Sequence, residues 1–97
     1  MNVTFSPKAL ADLAGIADYL KARNPRGAFA VGRRIEEVVA LLAEHPRIGR
    51  GVEQRPSVRV MPLGQYPYLV FYEVIGDELQ VLHIRHGARR PVDPGEL

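Results

Sequence analysis

The sequence contains no cysteine and no tryptophan, and its apolar runs are short. The absence of cysteine excludes disulfide bonds, thiol catalysis and cysteine-ligated zinc. The most apolar stretch, Tyr66 to Tyr72, is too short to cross a bilayer, and no apolar secretory leader opens the chain. The three histidines and the acids lack metal-ligand spacing. We therefore predict a cytoplasmic protein that binds no membrane, no metal and no cofactor.

The 97 residues are enough for one sizeable core, so we predict a single domain over residues 1–97. Two prolines and a glycine make Pro91–Leu97 a flexible tail in this prediction. The net charge of +2 is too weak to indicate stable nucleic-acid binding. Most of the positive charges are arginines, which favour forked contacts to carboxylate or phosphate. They cluster at Arg47, Arg50, Arg55 and Arg59, and again at Arg85, Arg89 and Arg90.

The first half of the chain predicts one strand and two helices. Asn2–Phe5 reads as a short strand, and Ser6 followed by Pro7 is typical of a helix start. Apolar residues then recur at spacings of three and four until the helix breaks at Asn24, because a following proline disfavours helical geometry. The same periodicity predicts a second helix over Pro25–Glu44.

The second half changes to the two-residue period of strands. A loop rich in glycine and proline is predicted over His45–Gly51. Tight turns at Gly64-Gln65 and Gly76-Asp77 then join three strands, which are predicted over Val58–Leu63, Tyr66–Ile75 and Leu79–His86. The fold class is therefore α+β: an N-terminal strand, an antiparallel helical hairpin and a three-stranded antiparallel meander, with the helices packed on one sheet face.

The turn positions also predict which side chains share a face of the sheet, because side chains alternate along a strand. We expect the helices to cover an apolar set, which comprises Val58, Val60, Leu69, Phe71, Leu82 and Ile84. The set expected on the open face comprises Arg59, Met61, Tyr68, Val70, Tyr72, His83 and Arg85. In this register Val70 lies between Arg59 and His83, and Tyr68 lies opposite Arg85. The polar members then form an uncovered working surface.

Four segments, in this order and spacing, resemble the ParE/RelE superfamily of toxins from type II toxin–antitoxin modules. They are ADLAGIADYL in the first helix, NPRGA at the helix junction, HPRIGRG after the second helix, and YPYLVFYEV followed by LHIRHGARRP. The likeness extends to about Pro91 and is closer to the ParE branch. It implies the same order of one strand, a helical hairpin and a meander.

Resemblance to the ParE branch implies a toxin that stops growth by binding DNA gyrase and performs no covalent chemistry. Such a toxin needs a shaped, charged surface, and arginine and tyrosine are enriched at binding hot spots. The residues offered for target binding are Arg59, Tyr68, His83, Arg85, Arg89 and Arg90.

The alternative is a RelE-like ribonuclease that cleaves messenger RNA in the ribosomal A site. This reaction needs an acid, a base and cations that stabilise the charge on the phosphate. The candidates are Arg59 and Arg89 as phosphate clamps, His83 or His86 as acid or base, and Tyr68 as a helper. No lysine follows Lys21, and the tail has prolines where RNA-cleaving members place a tyrosine. We therefore predict a gyrase inhibitor, with two alternatives: the ribonuclease, and a family member that binds its antitoxin without harm.

The resemblance further implies a cognate antitoxin whose C-terminal segment folds onto the toxin. The docking surfaces predicted for it are a sheet edge and the outer groove of the helical hairpin. The hairpin residues offered for antitoxin binding are Ile16, Tyr19, Leu20 and Phe29. Two of the site residues also have a structural explanation instead of a functional one. His83 could pack on Val70, and Arg59 could form an ion pair, for example with Glu73.

Overall fold

The computed structural model describes residues 1–87, which form two helices and a five-stranded sheet. In chain order the elements are β1 (Asn2–Phe5), α1 (Pro7–Arg23), α2 (Pro25–Glu44), β2 (Arg50–Val52), β3 (Arg55–Pro62), β4 (Tyr68–Ile75) and β5 (Glu78–His86). This order confirms the predicted α+β fold and adds one short strand, β2, within the predicted loop. The predicted tail, Pro91–Leu97, lies outside the described residues.

Side-chain caps fix both helix starts where the sequence predicts them. Ser6 Oγ accepts a hydrogen bond from Ala9 N at 3.0 Å and donates one to Leu82 O at 2.8 Å, so this cap also ties α1 to β5. Asn24 follows the last residue of α1, and its Oδ1 caps α2 by accepting from Gly27 N at 3.0 Å. Such caps satisfy amide groups that the first helical turn leaves unpaired.

The strands follow the order β1-β5-β4-β3-β2 across the sheet. β1 runs parallel to β5, whereas the other neighbouring strands are antiparallel. β1 pairs with β5 only as far as Val81. Beyond that residue α1, rather than a strand, lies beside β5, and this geometry places the helix against the β5 edge.

One turn was predicted correctly and the other was not. Ile75 pairs with Glu78 around Gly76, whose φ of 63° suits glycine. The other turn is wider than predicted, because Pro62 pairs with Leu69 instead of residue 67. β4 has a strand on each side, and Pro67 cannot donate a ladder hydrogen bond, so the strand begins only after it.

The predicted assignment of sheet faces is wrong for β3, for β4 and for Leu82. The helices cover a core that includes Tyr68, Val70 and Tyr72, which were expected on the open face. The set expected beneath the helices, apart from Ile84, forms a second apolar cluster together with Val52. Because both faces of β4 are apolar, the alternation of its residues did not distinguish the covered face from the other one.

A β-bulge in β5 breaks the predicted register further. Tyr72 pairs with Val81 as predicted, but Phe71 pairs with His83, so Leu82 is the extra residue. Beyond the bulge, each residue of β5 shares a face with the opposite set of β4 residues to the one predicted. Because the β4 faces are themselves reversed, the two errors cancel and Ile84 lies beneath the helices as predicted. His83 shares a face with Phe71.

Candidate functional site

A groove of about 970 Å³ lies between α1 and the C-terminal half of β5, and we call it the α1–β5 groove. Four of the residues predicted for target binding or catalysis line it, namely Tyr68, His83, Arg85 and His86. Three of the residues predicted for antitoxin binding also line it, namely Ile16, Tyr19 and Leu20. Lys8 and Asp12 add charge to its wall. The fold therefore brings together two groups of residues that the sequence analysis treated as separate.

Asp12 and His83 form a close polar pair in this groove. Asp12 Oδ2 lies 2.6 Å from Nδ1 of His83 and accepts a hydrogen bond from Ile84 N at 3.0 Å. The His83 ring also stacks on Phe71, with ring centroids 5.8 Å apart. A carboxylate this close to Nδ1 fixes the orientation of the imidazole ring.

Asp12 is not among the site residues predicted from the sequence. The local signal for it is weak: on α1 it adjoins Ala9, which is buried, and Ile16, which is half-buried. An acid at the border of an apolar stripe is common on a surface helix. Only the contact between α1 and the β5 edge shows that this carboxylate meets His83 and the Ile84 amide.

The bulge also changes the neighbours of Tyr68. Tyr68 pairs with His86, and their rings meet edge to face with centroids 5.5 Å apart. Arg85 pairs instead with Leu69, so the predicted cross-strand contact between Tyr68 and Arg85 is wrong. Tyr68 faces the helix side of the sheet, whereas His83 shares the face of Phe71. The predicted working surface therefore does not exist as one face.

Arg59, on β3, contacts a different part of the molecule: the loop of residues 45–49, which joins α2 to β2. Its Nη1 donates hydrogen bonds to Gly49 O at 2.7 Å and to Arg47 O at 3.1 Å. The ion pair considered for it with Glu73 is formed by Arg55 instead, at 3.9 Å. Arg59 therefore has a structural role in this loop and lies outside the α1–β5 groove.

Tyr72 holds the same loop from within the core. Its hydroxyl accepts a hydrogen bond from Gly49 N at 3.0 Å and donates one to Pro46 O at 2.8 Å. Burial raises the pKa of Tyr72, against the smaller lowering effects of the Gly49 hydrogen bond and the Arg59 charge. Because a neutral hydroxyl can both donate and accept, the raised pKa preserves both contacts.

A second groove, of about 610 Å³, is almost wholly apolar and lies between the two helices beside β1; we call it the helix–β1 groove. Ile16 and Leu20 line it together with Val3, Phe5 and Val39. Both residues are half-buried. This is the surface that corresponds to the outer groove predicted for the antitoxin.

The two aromatic residues predicted for antitoxin binding are exposed, as expected for side chains off the buried stripes. Phe29 is 70% exposed and Tyr19 is 55% exposed. The Arg23 guanidinium lies 3.7 Å from the Tyr19 ring centroid, a cation–π contact. Phe29 lines neither of the two grooves.

Arg89 and Arg90, the remaining predicted target-binding residues, lie outside the described residues. Within residues 1–87, no group of three or more histidine or acidic side chains is arranged to hold a metal ion. In the same part of the chain, neither helix has the length and apolar character needed to span a membrane.

Comparison with known proteins identifies the family of this chain. The model of the "ParE toxin of type II toxin-antitoxin system, parDE" matches residues 3–91. A solved structure described as "Chromosomal ParDE TA system from P. aeruginosa" superposes with a TM-score of 0.76 and 31% identity, covering 89% of this chain and 95% of that chain.

Two curated relatives come from Caulobacter vibrioides. Toxin RelE1 is 32% identical over 86 residues, or 89% of this chain and 92% of the relative. Toxin RelE2 is 33% identical over 89 residues, or 91% of this chain and 97% of the relative. The α+β fold is thus that of the ParE/RelE toxins, and this chain belongs to the ParE family of type II toxin–antitoxin toxins. Membership in such a module implies a cognate antitoxin as its partner.

Proposed function

We propose that this toxin inhibits DNA gyrase by binding it and catalyses no reaction of its own. The observation that supports the proposal is that a candidate phosphate clamp and a candidate acid–base group, which RNA cleavage would combine at one point, lie in different parts of the molecule. Arg59, offered as a phosphate clamp, is hydrogen-bonded to loop carbonyls, whereas His83 lies in the α1–β5 groove. A protein that acts by binding does not need a clamp and an acid–base group at one point.

A gyrase cleavage assay tests this proposal. Purified toxin added to gyrase and supercoiled plasmid should raise the fraction of linear, gyrase-cleaved DNA, because a bound toxin would trap the cleaved intermediate. The control is toxin mixed beforehand with its antitoxin, which should leave the reaction unchanged. A gyrase reaction that the toxin alone does not alter would contradict the proposal.

Ribosome-dependent RNA cleavage is the second candidate, and the Asp12–His83 pair favours it. The carboxylate holds the imidazole at 2.6 Å within a groove that Lys8 and Arg85 also line. In such a reaction His83 would accept the proton of the attacking 2′-hydroxyl, and a second group would protonate the leaving 5′-oxygen. Translating ribosomes would then show A-site cuts in messenger RNA, and His83→Gln would abolish them. Intact messenger RNA with the wild-type toxin would exclude this candidate.

We propose that the antitoxin segment occupies the helix–β1 groove. The groove is apolar, it contains Ile16 and Leu20, and it lies beside β1, which within residues 1–87 pairs with a strand on one side only. An amphipathic segment could bury its apolar face there and reach the unpaired strand edge. The α1–β5 groove is more polar and would be a poorer site for an apolar segment.

Two glycines provide a matched test of this docking site. Gly32 lines the helix–β1 groove and Gly15 lines the α1–β5 groove; both are exposed, helical and have open space around an added Cβ. Gly32→Glu should weaken antitoxin binding at least tenfold, because it puts a charge into the apolar groove, whereas Gly15→Glu should leave binding unchanged. Titration calorimetry measures both. The opposite ranking would place the antitoxin in the α1–β5 groove.

A further inference from the structure

Three exposed side chains lie where the loop between α2 and β2 enters the strand: Arg47 and Ile48 in the loop, and Arg50 at the start of β2; we call them the Arg47–Arg50 surface. Ile48 is 47% exposed and lies between the two arginines in the sequence. Neither arginine takes part in an ion pair within residues 1–87, although Glu53 is only three residues beyond Arg50. The surface therefore presents two cations around an apolar side chain, and the described part of the chain supplies no counter-charge for them.

The backbone beneath this surface is held by side chains from β3 and β4. Tyr72 and Arg59 together make four hydrogen bonds to it. The Tyr72 hydroxyl donates to Pro46 O and accepts from Gly49 N, and Arg59 Nη1 donates to Arg47 O and Gly49 O. Tyr72 is fully buried, so the loop is fixed from inside the core. A five-residue connection between a helix and an edge strand could be satisfied by water instead. Fixing the loop in advance lowers the entropy that a binding event must remove.

The geometry points to the Arg47–Arg50 surface as a contact for the toxin's target, with a protein partner that presents carboxylates around an apolar pocket. Arginine is enriched at protein-binding hot spots, and a protein partner could cover the exposed Ile48 side chain, whereas a phosphate backbone would not use it. A net charge of +2 also gives little general attraction to nucleic acid. The inference rests on the proposed function, because it assigns this surface to the binding of gyrase.

Charge reversal tests the surface against a matched control. The test variant combines Arg47→Glu with Arg50→Glu and changes the net charge by four units. The control combines Arg26→Glu with Arg33→Glu and changes it by the same amount. Arg26 and Arg33 are exposed arginines of α2 that form no ion pair within residues 1–87. With gyrase and supercoiled plasmid, the first variant should need at least about tenfold more toxin for half-maximal cleavage, as loss of a binding hot spot predicts. The control should stay within about twofold of wild type, as expected for charges outside the contact.

Two further variants separate contact from folding. Arg47→Ala with Arg50→Ala removes the charges without adding new ones and should also weaken inhibition, while far-UV circular dichroism and thermal unfolding stay those of wild type. Ile48→Ser should weaken inhibition as well, because the partner is inferred to hold an apolar pocket. Equal inhibition by the loop variants and the α2 control would overturn the inference and leave gyrase inhibition standing. A wild-type toxin that does not affect gyrase would overturn both.

Discussion

At the scale of single residues, the contact between Tyr72 and Gly49 shows how a buried side chain fixes a surface loop. Gly49 is buried although it lies in the connection between α2 and β2, and the Tyr72 hydroxyl accepts the hydrogen bond of its amide. A Cβ added at Gly49 would meet that hydroxyl and come 2.7 Å from Cε1 of the same ring. Glycine is required here by the close approach of the ring, not by an unusual φ.

The first prediction concerns this close approach. Gly49→Ala should lower the free energy of unfolding by about 1–3 kcal/mol, because the added methyl overlaps a ring that the core holds in place. Gly51→Ala is the control: this glycine is exposed, and an added Cβ would have open space. Urea unfolding measures both changes. Equal stabilities of the two variants would show that the ring can move away.

The second prediction concerns the Tyr72 hydroxyl. Tyr72→Phe should cost about 1–3 kcal/mol at neutral pH, because it leaves the Gly49 amide and the Pro46 carbonyl without their partner. The control is Tyr68→Phe, since the Tyr68 hydroxyl forms no hydrogen bond within residues 1–87, and its effect should be below about 0.5 kcal/mol. Urea unfolding at pH 7 gives both values, and a similar cost for both variants would contradict this account.

The raised pKa of Tyr72 gives the third prediction. The folded protein holds the phenol proton more tightly than the unfolded chain, whose ordinary pKa is 10.0. This stabilising contribution is complete below pH 10 and is lost as the pH rises through the folded-state pKa. The stability difference between wild type and Tyr72→Phe should therefore shrink as the pH rises above 10. Unfolding at a series of pH values from 8 to about 11 measures it, and a constant difference would exclude a raised pKa.

At the scale of elements, α1 takes the place of a strand beside β5. β1 ends its pairing at Val81, and from there Ser6 and Asp12 bind the exposed β5 backbone at Leu82 O and Ile84 N. A sheet edge normally presents unpaired amides and carbonyls, and these side chains satisfy two of them. The helix, the bulge at Leu82 and His83 thus form one connected unit.

The fourth prediction tests Asp12 as the anchor of this unit. Asp12→Ala should cost about 2–4 kcal/mol, because it removes the charge-assisted contact to His83 and leaves the Ile84 amide unpaired. It should also speed hydrogen exchange at Ile84 N. Asp18→Ala is the control on the same helix, since Asp18 is exposed and forms no hydrogen bond or ion pair within residues 1–87. Equal exchange rates at Ile84 in the two variants would show that Asp12 does not anchor the strand.

At the scale of the whole molecule, the two grooves lie on either side of α1, with Ile16 and Leu20 lining both. A partner in the helix–β1 groove therefore contacts the same helix that forms a wall of the α1–β5 groove. An antitoxin bound there, as we propose, would act on the α1–β5 groove through this shared helix.

The fifth prediction distinguishes an active toxin from a family member that does no harm. Induced expression of this chain alone should stop bacterial growth, and co-expression of the neighbouring antitoxin should restore it. In the same cells Gly32→Glu toxin should resist that rescue, whereas Gly15→Glu toxin should be rescued like wild type. Colony counts after induction measure all three. Unimpaired growth with a toxin that is soluble and folded would mean that the chain only binds its antitoxin.

The sequence by itself determined the family and the order of the elements apart from β2. Ser6 and Asn24 act through side chains that cap nearby amides, and Pro7, Pro25 and Gly76 act through their own backbone geometry. Their neighbours in the chain are therefore enough to predict what they do. Helical periodicity likewise depends only on spacing along the chain, and it predicted α2 over Pro25–Glu44 correctly. Such signals are local, and they persist whatever the rest of the fold does.

Only the tertiary structure decided which face the helices cover and which polar side chains meet. The covered face depended on packing between two apolar faces of similar character, and a bulge at Leu82 then moved His83 to the face opposite Tyr68. Asp12 and His83 are 71 residues apart and meet because α1 lies against the β5 edge. Arg59 is turned to loop carbonyls for a similar reason. Contacts between residues distant in sequence are set by the assembled core, and no local pattern records them.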